Sequence, residues 1–350
     1  MSARPPQQKR PFRMGTRRRF ALVGSQAYSA GAVLNFELPR VGYLDRIYVV
    51  LRGTNNIGSA SALADLGPWN AINRIRCNIN IGSNLLVDLS GYGAYLIGSL
   101  IERGSMLNKA GIGDTVPHAD VYAASVSSGN QTWALSYLVP ISANDGDNCE
   151  LGTISLQAPE LRFTVEVTCG ANGDPVTVNG TGFASTTVYV YYDYWEVPNL
   201  ATTQQPPLIL CRTLEELMSV TAVGDNIYTV PRMGTVIQLL HYFRANGARS
   251  DGIDSFQLRF NKTDSIYKYD RWAKRIESRV QDTVEWPVGV YLYDLWHAMG
   301  NVSQGDFRDA IDSEAISTFE SIITVSSGTT LGSGNNYINS IRRIVQKVQR

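Results

Sequence analysis

The sequence predicts an all-β protein made of two similar, mostly antiparallel β-sandwiches in tandem. Three observations carry this. Charged residues are only 18% of the 350-residue chain, against ~25% in ordinary soluble domains, while 18 Tyr, 6 Trp and 31 Gly supply β-formers and turns. Short β-branched and aromatic runs recur between Gly, Asn, Ser and Asp loops. A pattern in the first half also returns in the second, beyond a proline-rich stretch. The same composition excludes a coiled coil, a collagen and a mainly disordered chain.

Residues 1–19 read as a disordered or interface arm. Arg4, Lys9, Arg10, Arg13, Arg17, Arg18 and Arg19 cluster there beside Pro5 and Pro6, with almost nothing to bury. The first sandwich is expected over 20–197. Its strand-like runs are Leu44–Leu51, Arg74–Ile81, Trp133–Ile141, Leu161–Thr168 and Thr186–Trp195. Both faces of the last run are apolar or aromatic, which predicts a strand covered on both sides. Three prolines between Glu196 and Leu208 argue against a central strand, so 198–207 reads as a linker before a second sandwich over 208–350.

Phe36–Gly42 (FELPRVG) returns as Tyr228–Gly234 (YTVPRMG) at an offset of 192. Leu44/Val236, Ile47/Leu239, Leu51/Phe243 and Arg52/Arg244 keep that offset. Leu86, Leu89, Tyr92, Leu96 and Leu100 return as Ile266, Tyr269, Trp272, Ile276 and Val280 at an offset of 180, the difference falling in the longer loop after Arg52. These spacings predict an amphipathic helix in each half, with Lys268, Arg271, Lys274, Arg275, Glu277 and Arg279 on the polar faces of the second. Gly91, Gly93 and Gly98 weaken the first by about 1 kcal/mol each against Ala, so packing must support it. Residues 337–350 read two ways: Tyr337, Ile341, Ile344/Val345 and Val348 suit a helix face, whereas the duplication favours a strand that closes the second sandwich with a basic tip, carrying Arg342, Arg343, Lys347 and Arg350.

Catalytic patterns are missing. His118, His241 and His297 are too far apart for a zinc pair, and His241 falls in a predicted strand as a satisfied core or interface histidine. Gly53–Ser59 lacks the lysine of a phosphate loop, and Gly91–Gly98 fails a dinucleotide fingerprint at its third glycine. Ser265–Lys268 matches Ser-x-x-Lys without its companion motifs. Asn144–Glu150 departs from a calcium loop and reads as an Asx-rich turn. Cys77, Cys149, Cys169 and Cys211 show no CxxC spacing, so a zinc site and a disulfide framework are not expected. No catalytic residue, metal site or cofactor is expected.

The charge is uneven. Lys+Arg and Asp+Glu both number 31, but seven cations precede the first acid, Glu37, leaving a body of 24 cations and 31 acids. A basic arm on an acidic body fits a nucleic acid, an anionic membrane or an acidic neighbour. A transit peptide shares that composition. No run reaches 18 apolar residues and the arm lacks a signal peptide's apolar core.

Tandem sandwiches joined by a linker, equivalent helices and a basic arm resemble the double jelly-roll major capsid proteins of tectivirus-like, membrane-containing tailless viruses, including bacteriophages, and more distantly adenovirus hexons. The likeness is architectural, covers residues 20–350, and rests on the two repeated segments rather than on a diagnostic motif. It implies two eight-stranded jelly rolls, a homotrimeric pseudo-hexameric capsomer and a place in the capsid of an icosahedral virion, the protein being made in host cytoplasm. It implies partners as well: other copies, penton or minor capsid proteins, and inner-membrane lipid near Arg4–Arg19, with the genome less expected behind a membrane. Two other readings stay open. One is an RNA-virus coat protein with a shell and a projecting domain, its arm on the genome. The other is a two-domain β enzyme or lectin acting on glycans, for which two carboxylates in a cleft would be needed.

Overall fold

The computed structural model describes residues 17–347 except 58–60, 63, 81–83, 102–109, 113–115, 119–124, 127–128, 144–151, 159–160, 172–179, 197–208, 279–285 and 296–309. The first half contributes eight principal strands: β1 (Arg17–Ala27), β2 (Val33–Glu37), β3 (Tyr43–Ile57), β4 (Ile72–Ile79), β5 (Asn84–Ser90), β6 (Gly129–Pro140), β7 (Phe163–Cys169) and β8 (Gly180–Glu196), with helix α1 (Gly91–Ile101) after β5. The second half repeats the scheme: β9 (Ile209–Ser219), β10 (Gly224–Thr229), β11 (Thr235–Ala245), β12 (Ile253–Phe260), β13 (Asp264–Asp270), β14 (Val290–Asp294), β15 (Phe319–Val325) and β16 (Tyr337–Lys347), with α2 (Arg271–Glu277) after β13. Two- and three-residue strands decorate the loops.

In the first half one sheet runs β1-β8-β3-β6 and the facing one β2-β7-β4-β5; in the second they run β9-β16-β11-β14 and β10-β15-β12-β13. Position by position the two orders coincide. Pairing within each half is antiparallel; one parallel contact, Thr213↔Val87 and Leu214↔Asp88, joins β9 to β5 and fuses two of the four sheets into one.

The strands obey period two where one face meets a core. Phe163, Val165, Val167 and Cys169 point inward along β7, alternating with half-buried Thr and Glu. Strand β11 differs. Val236, Leu239 and Phe243 fill the second core, while Ile237, Leu240 and Tyr242 join the first. Its outer face is therefore roofed by the first sandwich. The sequence predicts such double cover for β8 instead, where Val188, Val190 and Tyr192 are buried but Tyr189, Tyr191 and Tyr194 remain partly open.

The repeated Pro-Arg-x-Gly marks the loop into β3 and its counterpart into β11. Gly42 has φ +72° and Gly234 φ +78°, a region that favours glycine. Both approach the backbone of the sandwich's last strand: a Cβ would lie 2.6 Å from the Trp195 carbonyl oxygen at Gly42 and 2.6 Å from that of Val345 at Gly234.

The helices begin later than their 3/4 spacing predicts. Leu86, Leu89 and Tyr269 lie in strands, and each helix starts after a polar cap at equivalent positions. Ser90 Oγ accepts from Gly93 N at 2.9 Å, and the Asp270 carboxylate accepts from Trp272 N and Ala273 N, both at 2.8 Å. The glycines of α1 admit close packing: a Cβ at Gly91 would strike the Trp69 and Ile72 carbonyls, and one at Gly93 the Glu215 carboxylate. Helix α2 is turned about from the expected orientation. Lys274 is buried, its ammonium 4.2 Å from the Tyr293 ring centroid, whereas Trp272 and Ile276 are 64% and 62% exposed. Val280 and the 144–150 turn lie outside the described residues.

Candidate assembly surface

Strand β1 starts at Arg17, inside the expected arm, because its backbone pairs with β8 from Arg17↔Glu196 onward. That pairing puts two arm cations beside acids. Arg18 Nη2 lies 2.5 Å from Asp193 Oδ2 and 3.7 Å from Asp45 Oδ2; Arg19 Nε lies 2.9 Å from Glu196 Oε2. Burial pushes the Asp45 carboxyl up, against the opposing pull of Arg46, the Ser142 hydroxyl and Arg18. Arg4, Lys9, Arg10 and Arg13 lie outside the described residues. Arg18 is half exposed but its partners Asp193 and Asp45 are buried, so Arg18→Ala is expected to cost about 1–3 kcal/mol in a denaturant titration, by leaving a buried carboxylate short of a donor.

Phe20 follows on the outer face. Its ring stacks on Tyr191 at 5.0 Å between centroids and meets Tyr48 edge-on at 5.5 Å, yet it stays 60% exposed. Arg18, Arg19, Phe20, Arg46, Tyr48 and Asp193 line a shallow depression of about 540 Å³ there. Aromatic rings among arginines on a strand face, with Leu22 also exposed, form an apolar patch with a charged border.

The junction of the two halves shows how such a face can be covered. Tyr92 of α1 meets Tyr242 edge-on at 5.3 Å and accepts from Arg249 Nη1 at 2.7 Å. Glu215 of β9 reaches the start of α1 and accepts from Ser90 N at 2.6 Å, Ser90 Oγ at 3.1 Å, Tyr242 Oη at 2.6 Å and Asn339 Nδ2 at 2.5 Å. A carboxylate here meets the positive end of the helix. Burial and this carboxylate push the Tyr242 hydroxyl well above its ordinary range. Sequence reasoning missed this network; the Ser at position 90 was its one local signal.

Arg342 and Arg343 do not form an exposed basic tip. Both are buried in β16: Arg342 reaches Glu216 at 2.6 Å and donates to Tyr228 Oη at 2.6 Å, and Arg343 donates to Gln238 Oε1 at 2.7 Å and to the Ser142 carbonyl at 3.1 Å. Lys347 ends β16, and Arg350 lies outside the described residues. Cys77, Cys169 and Cys211 are buried and form no disulfide among the described residues; burial pushes the Cys77 and Cys169 thiols up. Gly53–Ile57 continues β3, Gly91–Gly98 is α1 and Ser265–Lys268 is β13, so none forms the loop its motif would need.

His241 is buried, with Nδ1 2.8 Å from Ser340 Oγ and Nε2 2.9 Å from Ser321 Oγ. Burial, aided by the Lys274 charge, lowers its pKa to about 3. The unfolded imidazole titrates near 6.5, so unfolding takes up a proton between about pH 6.5 and pH 3 and the His241 contribution is lost as pH falls through that window. Between pH 7 and pH 5 this is worth about 2 kcal/mol. Guanidinium midpoints at the two pH values are expected to show it, with a smaller difference in His241→Gln.

No protein-family model matches the chain, and no curated protein matches it in sequence. Solved structures match its shape. The major capsid protein of Sulfolobus turreted icosahedral virus aligns with a TM-score of 0.69 at 14% identity, over 94% of this chain and 97% of that one. VP54 of PBCV-1, in a crystal structure fitted into a reconstruction of the virophage Sputnik, aligns at 0.64 with 11% identity, over 94% and 93%. The chain is a double jelly roll. The major capsid protein P2 of bacteriophage PM2 aligns with the same double jelly roll at 0.56 and 11% identity, over 95% of this chain and 99% of that one.

Proposed function

We propose that this double jelly roll is the major capsid protein of an icosahedral virion, assembling as a homotrimer whose six rolls make a pseudo-hexagonal capsomer. One observation carries the reading: sixteen principal strands in two equivalent rolls, matched nearly end to end by capsid proteins. Rolls 20–197 and 208–350, joined through 198–207, are the units of assembly. Arg4, Lys9, Arg10 and Arg13 then face the interior and meet anionic lipid headgroups, gaining about 1 kcal/mol per cation near such a surface. Arg17, Arg18 and Arg19 serve the neighbour contact instead, as part of β1.

The test is the molar mass of the purified protein by light scattering after size exclusion, at low and high salt. A salt-resistant species of about three times the 38.5-kDa chain mass is expected. A monomer overturns the reading, and a nucleic-acid-bearing particle lost at high salt favours the RNA-coat alternative. Deleting residues 1–16 is expected to abolish binding to phosphatidylserine vesicles at low salt while leaving the trimer intact, as read by vesicle co-sedimentation.

A further inference from the structure

Among the described residues there is one complete roll-to-roll contact, and counterparts of both of its halves recur at sheet edges. In the complete contact, β5 pairs in parallel with β9, and the first turn of α1 meets the outer face of the β9-β16-β11 sheet, Tyr92 at Tyr242 and Gly93 beside Glu215 and Ile341. The counterpart of β5 is β13, an edge strand among the described residues; the counterpart of β9 is β1, also an edge strand. Tyr92 and Leu96 of α1 are 2% and 0% exposed, while Trp272 and Ile276, which stand at their positions in α2, are the exposed apolar pair.

The receiving face can be matched residue by residue through the sheet register. Trp195 pairs with Tyr43 as Val345 pairs with Thr235, and both ladders then shift at the same place, before Asp193 and before Arg343. Arg18 pairs with Trp195 as Cys211 pairs with Val345. Phe20 and Leu22 therefore occupy the positions of Thr213 and Glu215, and Tyr48 and Tyr191 those of Leu240 and Ile341. In the second-roll set Thr213, Leu240 and Ile341 are buried and Glu215 is half-buried, with Glu215 and Ile341 against Gly93 of α1; the first-roll set is the open aromatic patch.

The caps are complementary in the same sense. Helix α1 has a neutral Ser90 cap and borrows the Glu215 carboxylate from the facing roll. Helix α2 carries its own carboxylate, Asp270, and the strand position that would face it holds Leu22 instead of a second acid. A glutamate there would set two like charges together at the helix start.

We infer that a second copy of this chain docks its β1 in parallel against β13, with Phe20 opposite Tyr267, and lays its Phe20–Tyr48–Tyr191 face over Trp272 and Ile276 of α2. The contact is heterologous, so repetition produces a ring when the rotation closes. The inference rests on the capsomer reading and assigns its subunit interface.

Cysteines at the paired positions test it. Parallel neighbours stand about 4.8 Å apart, inside the ~4.4–6.8 Å that a disulfide spans. Phe20→Cys combined with Tyr267→Cys is expected to yield a covalent trimer on a non-reducing gel after mild oxidation, with each single variant migrating as a monomer. A trimer in solution that fails to crosslink overturns this interface and leaves the capsomer reading standing; a wild-type monomer overturns both. Trp272→Asp with Ile276→Asp gives a second route, since both side chains are exposed in the single chain. The concentration for half-assembly is expected to rise about tenfold or more, with the thermal midpoint of the isolated monomer unchanged. Unaltered assembly of that variant would overturn the inference.

Discussion

Glu215→Ala is expected to lower the unfolding free energy by about 3–5 kcal/mol. One carboxylate accepts from a backbone amide, a serine hydroxyl, a tyrosine hydroxyl and an asparagine amide, drawn from β5, β11 and β16. Removing it leaves the donors of buried Tyr242 and Asn339 short of their acceptor, and each buried donor left without a partner costs about 1–3 kcal/mol. It also strips the start of α1 of its negative charge, worth about 0.3–1 kcal/mol. Glu37→Ala is the control, because Glu37 is exposed and its nearest cation, Arg162, sits 3.9 Å away; a change within about 0.5 kcal/mol is expected. Guanidinium titration checks both. A Glu215→Ala loss no larger than the control's would show that the network contributes nothing to stability and that apolar packing alone holds the rolls together.

The pattern of what was legible follows from distance along the chain. Gly42 and Gly234 stood out because a tight loop into a strand needs a local backbone conformation, which leaves the same four-residue mark in both rolls. The strands were legible where one face is buried and period two survives, as along β7. Helix boundaries were not, because Leu86 and Leu89, or Ile266 and Tyr269, sit at a spacing that extends a helical pattern backward while the backbone there is still a strand. Only the caps at Ser90 and Asp270 mark the switch.

What depends on remote partners left no local trace. Arg342 and Arg343 resemble a solvated tip in sequence, yet Glu216, Tyr228, Gln238 and the Ser142 carbonyl pair with their terminal guanidinium nitrogens from other strands and from the other roll. Arg18 and Arg19 resemble free arm cations until β8 brings up Asp193 and Glu196. The orientation of α2 is the sharpest case. Lys274 can be buried because Tyr269, Tyr293 and Glu277 surround its ammonium, and that arrangement turns Trp272 outward. In α1 the equivalent face is apolar and inward because a second roll covers it. The same sequence pattern yields opposite exposures, and the difference lies in the neighbour rather than in the helix.

Gly42→Ala and Gly234→Ala are each expected to destabilise by about 3 kcal/mol. Two costs combine. Both residues hold positive φ, which disfavours an L side chain by about 1–2 kcal/mol. Both also abut the backbone of the last strand of their roll, so the added methyl must displace a ladder carbonyl, at Trp195 or at Val345, for a further 1–3 kcal/mol or so. Gly31 separates the two costs. Its φ is +71°, nearly that of Gly42, but nothing lies within 4 Å of where its Cβ would stand. Gly31→Ala is therefore expected to cost only about 1 kcal/mol, and the difference between it and Gly42→Ala reports the clash alone. Denaturant midpoints for the three variants decide the matter. Equal losses at Gly31 and Gly42 would make φ the whole reason for the repeated glycine; a larger loss at Gly42 and Gly234 would show that each roll requires its entering loop and closing strand to touch, the same contact built twice in one chain.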